Sequence, residues 1–159
     1  MNYWIERTPA ELASTISRWD AILVNDEEAL QLTGLDNLLA AARAIHALGP
    51  RTVIVKRGEH GATLFRDGEC FIAPAYPIED VVDPTGAGDA FAGGYMGHLA
   101  ALGIAGSDEA PMAELRRAVV YGSVMGSFCC ERFGVDGLVA LTRERIERRF
   151  EEFRDLTAF

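Results

Sequence analysis

Hydrophobic and polar positions change their spacing several times along the chain, which predicts helices alternating with short strands. Residues 8–19 are amphipathic, and Thr8, followed by Pro9 and Glu11, has the composition of a helix start. The apolar runs at 21–24 and 52–56 predict buried strands, the second a central parallel strand covered on both faces.

Capping residues and glycines mark the predicted helix ends between these strands. One helix begins at Asn25 or Asp26 and ends at Gly34, and the next begins at Asp36 and ends at Gly49. Residues 62–65 and 70–73 flank an Asp-Gly turn and predict a β-hairpin. Further helices are predicted over 88–102, 109–130 and 142–154; in the first of them the apolar positions are Phe91, Tyr95, Leu99 and Leu102, and Gly103 ends it.

This order of elements predicts a layered α/β fold with a largely parallel sheet. The length of 159 residues suits one domain, and the sequence contains no repeat, low-complexity segment or linker. We therefore expect a single α/β domain over residues 1–159.

The charge of the chain argues against a nucleic-acid partner. Its formal net charge is −9, and no basic patch stands out. No apolar run is long enough to span a membrane, and the first residues do not resemble a signal peptide, so we expect a cytoplasmic protein whose three cysteines are reduced core thiols. An anionic ligand would need a local site of backbone amides, a metal or a single cation, and the one lysine, Lys56, stands out among fourteen arginines.

Residues 81–91, VVDPTGAGDAF, have the composition of an anion-binding loop. Gly86 and Gly88 leave room for a ligand to approach the backbone, and the helix that follows offers unpaired N–H groups. Asp89 lies in its first turn, where a carboxylate can accept a proton from a hydroxyl beside a phosphate. Glycine loops between strands and helices are also common without any ligand, and this one has neither the GxGxxG nor the GxxxxGK[ST] spacing.

The segment DPTGAGDAFAGG at 83–94 resembles the second signature of the PfkB, or ribokinase-like, family of carbohydrate and nucleoside kinases. The resemblance implies a three-layer αβα fold and ATP-dependent phosphoryl transfer to a hydroxymethyl group of a sugar or nucleoside. It further implies that Asp89 is the general base and that Gly86, Ala87 and Gly88 form the anion hole.

Two more segments resemble nucleotide-binding parts of that family. In VNDEEA, Asn25 and Glu28 would organise Mg²⁺, Glu28 through water; a helix cap followed by solvated acids is the alternative. In VIVKRGEHGATLF, Lys56 would face the ATP phosphates or ribose while Gly58 and Gly61 shape the turn. A lysine at a strand end that only reaches solvent is the alternative there.

The resemblance also assigns residues near the base of the nucleotide and a monovalent cation. Ser123 would neighbour adenine, within a stripe of small residues that close helix packing explains equally well. Asp83 and Thr85 would hold the cation, K⁺.

The resemblance covers only the family's carboxyl-terminal half. The sugar-contacting segments and the β-sheet lid of the amino half have no counterpart, and MNYWIE is similar to the family's middle region, where a strand end leads into a helix. We expect an unpaired strand edge, a partner that is a second copy or the missing half, and weak or no phosphoryl transfer by this chain alone.

Two other functions remain open at this stage. One is a non-catalytic nucleotide-binding fragment that needs a partner chain. The other is an α/β oxidoreductase or phosphosugar-binding module, which the absence of a dinucleotide fingerprint disfavours.

Overall fold

A computed structural model describes residues 1–158, which form one four-stranded sheet and eight α-helices. The strands are β1 (Ala21–Asn25), β2 (Thr52–Lys56), β3 (Ala62–Arg66) and β4 (Glu69–Ala73). The helices are α1 (Asn2–Arg7), α2 (Pro9–Ile16), α3 (Asp26–Thr33), α4 (Leu38–Leu48), α5 (Ala87–Ala101), α6 (Met112–Cys130), α7 (Asp136–Val139) and α8 (Arg143–Thr157). Two 3₁₀ turns lie at Gly58–His60 and Ser107–Glu109.

The sheet is open and mixed, with the strand order β1-β2-β3-β4. Only β1 and β2 are parallel, whereas the β2–β3 and β3–β4 pairs are antiparallel. The predicted α/β class and the hairpin at Asp67-Gly68 are confirmed, but the expectation of a largely parallel sheet is corrected for these four strands. The reason is local, because five residues that include a 3₁₀ turn link β2 to β3, which is too short for the crossover that a parallel pair requires.

The register of the strands defines two ends of the sheet. At one end Asn25, Lys56, Ala62 and Ala73 lie side by side, and we call this the carboxyl end because β1, β2 and β4 finish there. At the other end, called the opposite end, the row is Ala21, Thr52, Arg66 and Glu69.

Alternate side chains of the strands point into two apolar layers, which gives the three-layer arrangement. Val53, Val55 and their neighbours on β1 pack against α1–α4. Ile54 and Leu64 pack on the other face against α5 and α6. A third cluster joins α6 to α8 through the side chains of Val124, Phe128 and Phe153. Each layer buries residues that the 2- and 3.6-residue periods of the sequence place on one face.

Most predicted helix ends agree with the structure, and a few are corrected. Asn25 caps α3, and its side chain accepts a hydrogen bond from the Glu28 N–H at 2.6 Å. The cap of α4 is Asn37 rather than Asp36, because the Asn37 side chain is the one that accepts from the N–H of Ala40. Thr8 occupies the cap position of α2 without a side-chain capping bond.

Two boundaries near the apolar helices also differ from the predictions. α6 begins at Met112, three residues later than expected, because Pro111 takes its cap position after the 3₁₀ turn at Ser107–Glu109. Leu102 lies beyond the last residue of α5 and is exposed, so it does not belong to the buried stripe of Phe91, Tyr95 and Leu99.

The first residues of the chain form a helix rather than the expected end of a strand. α1 buries Ile5 against the α2 and α3 side of the sheet, while Tyr3 and Trp4 remain 63% and 56% exposed. The expectation of a strand end came from the resemblance alone. Residues 3–5 are of types enriched in strands, but that preference depends on context and does not decide the local structure here.

Candidate functional site

The carboxyl end of the sheet brings Lys56 to the start of α5. The chain leaves β4 at Ala73, runs without regular structure through residues 74–86, and enters α5 at Ala87. The Lys56 Nζ lies 3.5 Å from the carbonyl oxygen of Gly88. A Cβ placed on Gly88 would come within 2.8 Å of that Nζ, so any larger residue would require the lysine side chain to shift. Lys56 and the glycine loop therefore lie together at this end of the sheet.

The first turn of α5 presents backbone N–H groups without protein acceptors. Within residues 1–158 the N–H groups of Gly86, Gly88 and Asp89 make no hydrogen bond, and the first intrahelical bond is Ala90 N–H to Gly86 O at 2.8 Å. The N–H of Ala87, by contrast, donates to Pro84 O at 3.1 Å. Gly86, Ala87 and Gly88 were predicted to form the anion hole, but the Ala87 N–H is already hydrogen-bonded. The free N–H donors are those of Gly86, Gly88 and Asp89.

Asp89 is exposed in that first turn and forms no ion pair within the described residues. Its carboxylate is therefore accessible to a hydroxyl held at the start of α5. Its role as general base remains a prediction.

Asn25 and Glu28 form a capping box at the end of β1. The Asn25 N–H donates to Glu28 Oε2 at 3.0 Å, in return for the bond that the Asn25 side chain accepts. Glu28 Oε1 also lies 2.8 Å from the amino group of Met1. Burial raises the pKa of Glu28, but the Met1 ammonium, the Asn25 N–H and the charge of Lys56 together outweigh it and leave that pKa lowered.

Asn25 is therefore a helix cap, as the alternative predicted, but Glu28 is largely buried and ion-paired and not a solvated acid. The predicted Mg²⁺ role is compatible with this arrangement. A carboxylate held ionised by cations and a backbone N–H beside Lys56 is suited to holding water around a divalent ion. Nothing in the structure tests that role, which stays a prediction.

The two glycines of the turn after β2 differ in their surroundings. Gly61 has φ +85°, and a Cβ there would overlap the Ala73 carbonyl oxygen and lie 2.5 Å from the carbonyl carbon of Pro74. Gly58 has φ +52° with open space around it. Gly61 is thus required by packing between the start of β3 and the end of β4, while Gly58 is exposed.

The small residues of α6 pack closely against α5, as the alternative interpretation predicted. A Cβ on Gly122 would contact the ring and carbonyl of Phe91 at about 3 Å, and one on Gly126 would lie 3.3 Å from Ala87 O. Ser123 sits between them on the side of the carboxyl end, where its Oγ lies 3.5 Å from the carbonyl oxygen of Pro74. Its predicted position beside adenine remains a prediction.

The first residues of the glycine loop are hydrogen-bonded to the last turn of α6. Cys130 O accepts hydrogen bonds from the N–H groups of Val82 and Asp83, at 2.9 and 3.3 Å. Asp83 accepts from Thr85 N–H at 2.9 Å with one oxygen and from Gly134 N–H at 3.2 Å with the other. These bonds, first the one from Thr85 N–H, lower the pKa of Asp83.

Cys129 also contacts the glycine loop, through Thr85 and Gly86. It is 2% exposed, its Sγ donates to Thr85 O at 3.4 Å, and a Cβ on Gly86 would lie 3.7 Å from the sulfur. Burial, followed by the charges of Asp83 and Asp89, raises the pKa of Cys129, so the thiol keeps its proton at neutral pH. The sequence treated Cys129 as an ordinary core thiol and did not single out Gly134, since no local pattern links either residue to a loop more than 40 positions away.

Two searches of the described residues complete the description of the site. No cluster of three or more His, Cys, Asp or Glu side chains in residues 1–158 is arranged to hold a metal ion. None of the helices in that range has both the length and the apolar character to cross a membrane.

A family model described as "pfkB family carbohydrate kinase" matches residues 2–140. The cytidine kinase of Thermococcus kodakarensis is 44% identical over 87 residues, which cover 54% of this chain and 31% of that protein. The aminoimidazole riboside kinase of Salmonella enterica, solved with aminoimidazole riboside and an ATP analogue, superposes with a TM-score of 0.77 at 27% identity over 91% of this chain and 46% of that one. A ribokinase II from E. coli in complex with ATP and Mg²⁺ superposes with a TM-score of 0.70 at 28% identity, over 89% of this chain and 42% of that one.

The chain spans less than half the length of these relatives. The superposition includes both helical layers and the sheet, since it covers nine tenths of the chain. The predicted ribokinase-like α/β fold is confirmed by this likeness.

Proposed function

The chain belongs to the pfkB family of carbohydrate kinases, and we propose that it is the ATP-binding and catalytic half of a kinase acting on a sugar or nucleoside. The single observation that carries the proposal is the meeting of Lys56 with the start of α5, 3.5 Å from Gly88 O, at the end of the sheet where Asn25 and Glu28 also lie. A cation, free amides and an ionised carboxylate within one region are the groups that phosphoryl transfer requires.

The residues at this end of the sheet fit a Mg·ATP complex. The free N–H groups of Gly86, Gly88 and Asp89 offer donors for a phosphate, and Lys56 adds a positive charge that can shift from the Gly88 carbonyl to a phosphate oxygen. Glu28 and Asn25 would orient water molecules around the metal. ATP with Mg²⁺ would supply the γ-phosphoryl group and the charge that neutralises it.

Asp89 is the residue we assign as general base. It is exposed one residue beyond Gly88, so a hydroxymethyl group held next to the phosphate site can reach its carboxylate. Proton acceptance by Asp89 increases the nucleophilicity of the hydroxyl oxygen, and the free amides stabilise the charge on the phosphoryl group as it moves. Ser123, near Pro74, would lie beside the base of the nucleotide.

Titration of this chain with Mg·ATP by calorimetry tests the proposed site. We expect measurable binding, about tenfold weaker in Lys56→Met because one phosphate-facing charge is removed. Asp89→Asn should bind ATP as the unmodified chain does. Asp108 is exposed at the opposite end of the sheet, where its carbonyl oxygen accepts from Arg66, and Asp108→Asn is the matched control for that carboxylate change.

The catalytic step is tested by adding a separately expressed amino-terminal half of a relative together with its acceptor. We expect transfer to appear in the mixture and to fall by about 10²–10⁴ with Asp89→Asn at unchanged ATP affinity. Transfer that survives Asp89→Asn would refute the assignment of the base. The absence of Mg·ATP binding to the chain would refute the nucleotide site itself.

A second candidate function is a non-catalytic nucleotide-binding fragment that needs a partner chain. Two features favour it: β1 is an edge strand that pairs only with β2 among residues 1–158, and the neighbouring α1 exposes Tyr3 and Trp4. The partner would be the amino-terminal half or a second copy of this chain. Binding of Mg·ATP without transfer in any mixture would favour this candidate.

A further inference from the structure

Residues 74–81 connect β4 to the glycine loop and have few backbone hydrogen bonds of their own. In the part of the chain that the structure describes, residues 75–81 take part in no backbone–backbone hydrogen bond. The carbonyl oxygen of Pro74 lies 3.5 Å from Ser123 Oγ, and the next backbone bond along the chain is at Val82. The conformation of this segment therefore depends on its side-chain contacts.

Tyr76 is the residue of this segment that packs into a hydrophobic cluster. It is half-buried against the third cluster, the one that joins α6 to α8. Its ring lies edge-on to that of Phe153, with the ring centroids 5.8 Å apart, and its hydroxyl donates to Glu152 Oε2 at 3.0 Å. Both partners are residues of α8, so this helix holds the segment after β4 through one aromatic side chain.

Arg149 of α8 contacts the same tyrosine ring while its own donors are bonded elsewhere. Its guanidinium carbon lies 4.8 Å from the centroid of the Tyr76 ring and 3.5 Å from that of the Phe128 ring. Nη1 donates to Ser127 Oγ at 3.0 Å, and Nη2 lies 2.7 Å from Glu131 Oε1. The side chain is only 15% exposed, and cation–π contacts are stronger where they are shielded from water. Arg149 is thus a fixed support for Tyr76.

The rest of the segment lacks such support, and the glycine loop is held separately. Residues 77–80 line a cavity of about 350 Å³ together with Tyr76 and Arg149, and three of these four residues are exposed. The loop that follows is bonded through Val82 N–H to the carbonyl oxygen of Cys130. Loss of the Tyr76 contact would therefore release the residues beside Pro74 and leave the glycine loop in place.

We propose that Arg149 is a positioning residue, which fixes the Tyr76 ring and thereby holds residues 74–76 next to Ser123 as one side of the site for the base of the nucleotide. The inference rests on the proposed function for the place of the base, and on the observed contacts for the role of Arg149. None of those contacts involves Lys56 or the first turn of α5. Arg149 consequently contributes to the affinity for the base and not to the affinity for the phosphates.

Calorimetric titrations with Mg·ATP and with Mg·tripolyphosphate, which has the phosphates but no base, test the proposal. We expect Arg149→Met to bind Mg·ATP about fivefold more weakly than the unmodified chain, the size of one shielded cation–π contact. Its affinity for Mg·tripolyphosphate should stay within about twofold. A loss of packing that merely destabilised the fold would not separate the two ligands in this way.

Changes at Tyr76 test whether Arg149 acts through that ring. Tyr76→Ala should show the same separation of the two ligands, whereas Tyr76→Phe should keep its Mg·ATP affinity within about twofold, because the ring beside Arg149 is retained. The double variant Arg149→Met/Tyr76→Ala should lose less Mg·ATP affinity than the product of the two single losses, since both changes remove one shared contact. Losses that multiply in full would overturn the proposal, even where tripolyphosphate binds too weakly to be measured.

Arg145→Met is the matched control on the same helix. Arg145 lies one turn before Arg149, with its guanidinium carbon 5.4 Å from the Phe128 ring centroid, but within residues 1–158 it forms no cation–π contact with Tyr76. We expect both affinities of this variant to stay within about twofold of the unmodified chain. A loss of Mg·ATP affinity equal to that of Arg149→Met would show that the contact with Tyr76 is not what matters, and would overturn the proposal.

The titrations also separate this inference from the proposed function. Equal losses for the two ligands in Arg149→Met, or no loss for either, would overturn the inference and leave the nucleotide site standing. No binding of Mg·ATP to the unmodified chain would refute the proposed function and this inference together. If Arg149→Met fails to fold, Tyr76→Ala and Tyr76→Phe still decide, because Tyr76 is only half-buried.

Discussion

The two ends of the sheet differ in how completely their polar groups are paired. At the opposite end, the buried guanidinium of Arg66 donates to the carbonyl oxygens of Ser107 and Asp108 and to the Thr52 hydroxyl. At the carboxyl end, the one hydrogen bond of the Lys56 Nζ within residues 1–158 is a 3.5 Å contact to Gly88 O. The first end uses its donors to hold the protein together, and the second leaves donors free.

Burial follows the same division. Arg66 is 5% exposed although it carries a charge, which is tolerated because its donors find protein acceptors. Asp89 is exposed and unpaired within the described residues, and the amides beside it have no acceptor. A polar group that is to hydrogen-bond a ligand must keep part of its hydrogen-bonding capacity unused in the free protein. The carboxyl end is therefore the end expected to lose little stability, and much affinity, when its side chains are changed.

Gly61→Ala should have the largest effect, and it would show that not every glycine at the carboxyl end serves a ligand. The added Cβ overlaps the backbone of Ala73 and Pro74 at φ +85°, and neither β3 nor β4 can move without breaking their pairing. We expect unfolding free energy to fall by about 3 kcal/mol or more, measured by urea denaturation.

Gly58→Ala is the control for that substitution, since it also has a positive φ but meets nothing within 4 Å. It should cost about 1 kcal/mol, the penalty of the backbone conformation alone. Equal losses for the two variants would mean that the contact with Ala73 and Pro74 does not determine the need for glycine.

Arg66→Met tests the opposite end with an intermediate effect. The substitution keeps much of the apolar stem and leaves the carbonyl oxygens of Ser107 and Asp108 without their donor, so we expect a loss of about 2–3 kcal/mol in unfolding free energy. Mg·ATP affinity should stay unchanged, because the carboxyl end lies at the other end of the same strands. A loss of affinity at full folding would show that the two ends are coupled.

Local patterns predicted the elements of this fold better than their pairing. The cap at Asn25, the hairpin at Asp67-Gly68 and the buried stripe of Phe91, Tyr95 and Leu99 are each set by neighbours within a few residues. The antiparallel pairing of β2 with β3 was not predicted, because an apolar run has no preferred direction until the turn after it is known.

The same holds for the candidate site: residues within a local motif were predicted, whereas residues that act through contacts distant in sequence were not. The glycine loop, Asp89 and Lys56 were predicted from motifs, and the structure brings Lys56 to Gly88 across 32 positions of sequence. Cys129 was missed because its hydrogen bond to Thr85 joins residues 44 positions apart. No sequence pattern distinguishes a cysteine that donates a hydrogen bond from one that only packs in an apolar helix. Arg66 escaped notice for the same reason, since its carbonyl partners lie more than 40 residues away.

The smallest expected effect is a pH dependence at the opposite end, which Arg51→Met should remove. The hydrogen bonds from Arg51 to Asp67, at 2.9 and 2.7 Å, are the main cause of a pKa of Asp67 below its usual range, with Arg66 contributing. Because the folded-state pKa is the lower one, this pair stabilises the protein above the unfolded pKa of about 3.9, and the stabilisation is lost as the pH falls through the folded value.

Urea denaturation at pH 7 and at pH 3 measures this effect. We expect Arg51→Met to be slightly less stable than the unmodified chain at pH 7, since both groups are exposed and the pair is screened by solvent. The difference should be smaller at pH 3, because the lowered pKa of Asp67 no longer contributes fully below the unfolded value. Arg43→Met is the control, because Arg43 is exposed and forms no ion pair within residues 1–158. A difference for Arg51→Met that persists unchanged at pH 3 would mean that its packing, and not its charge on Asp67, stabilises this end of the sheet.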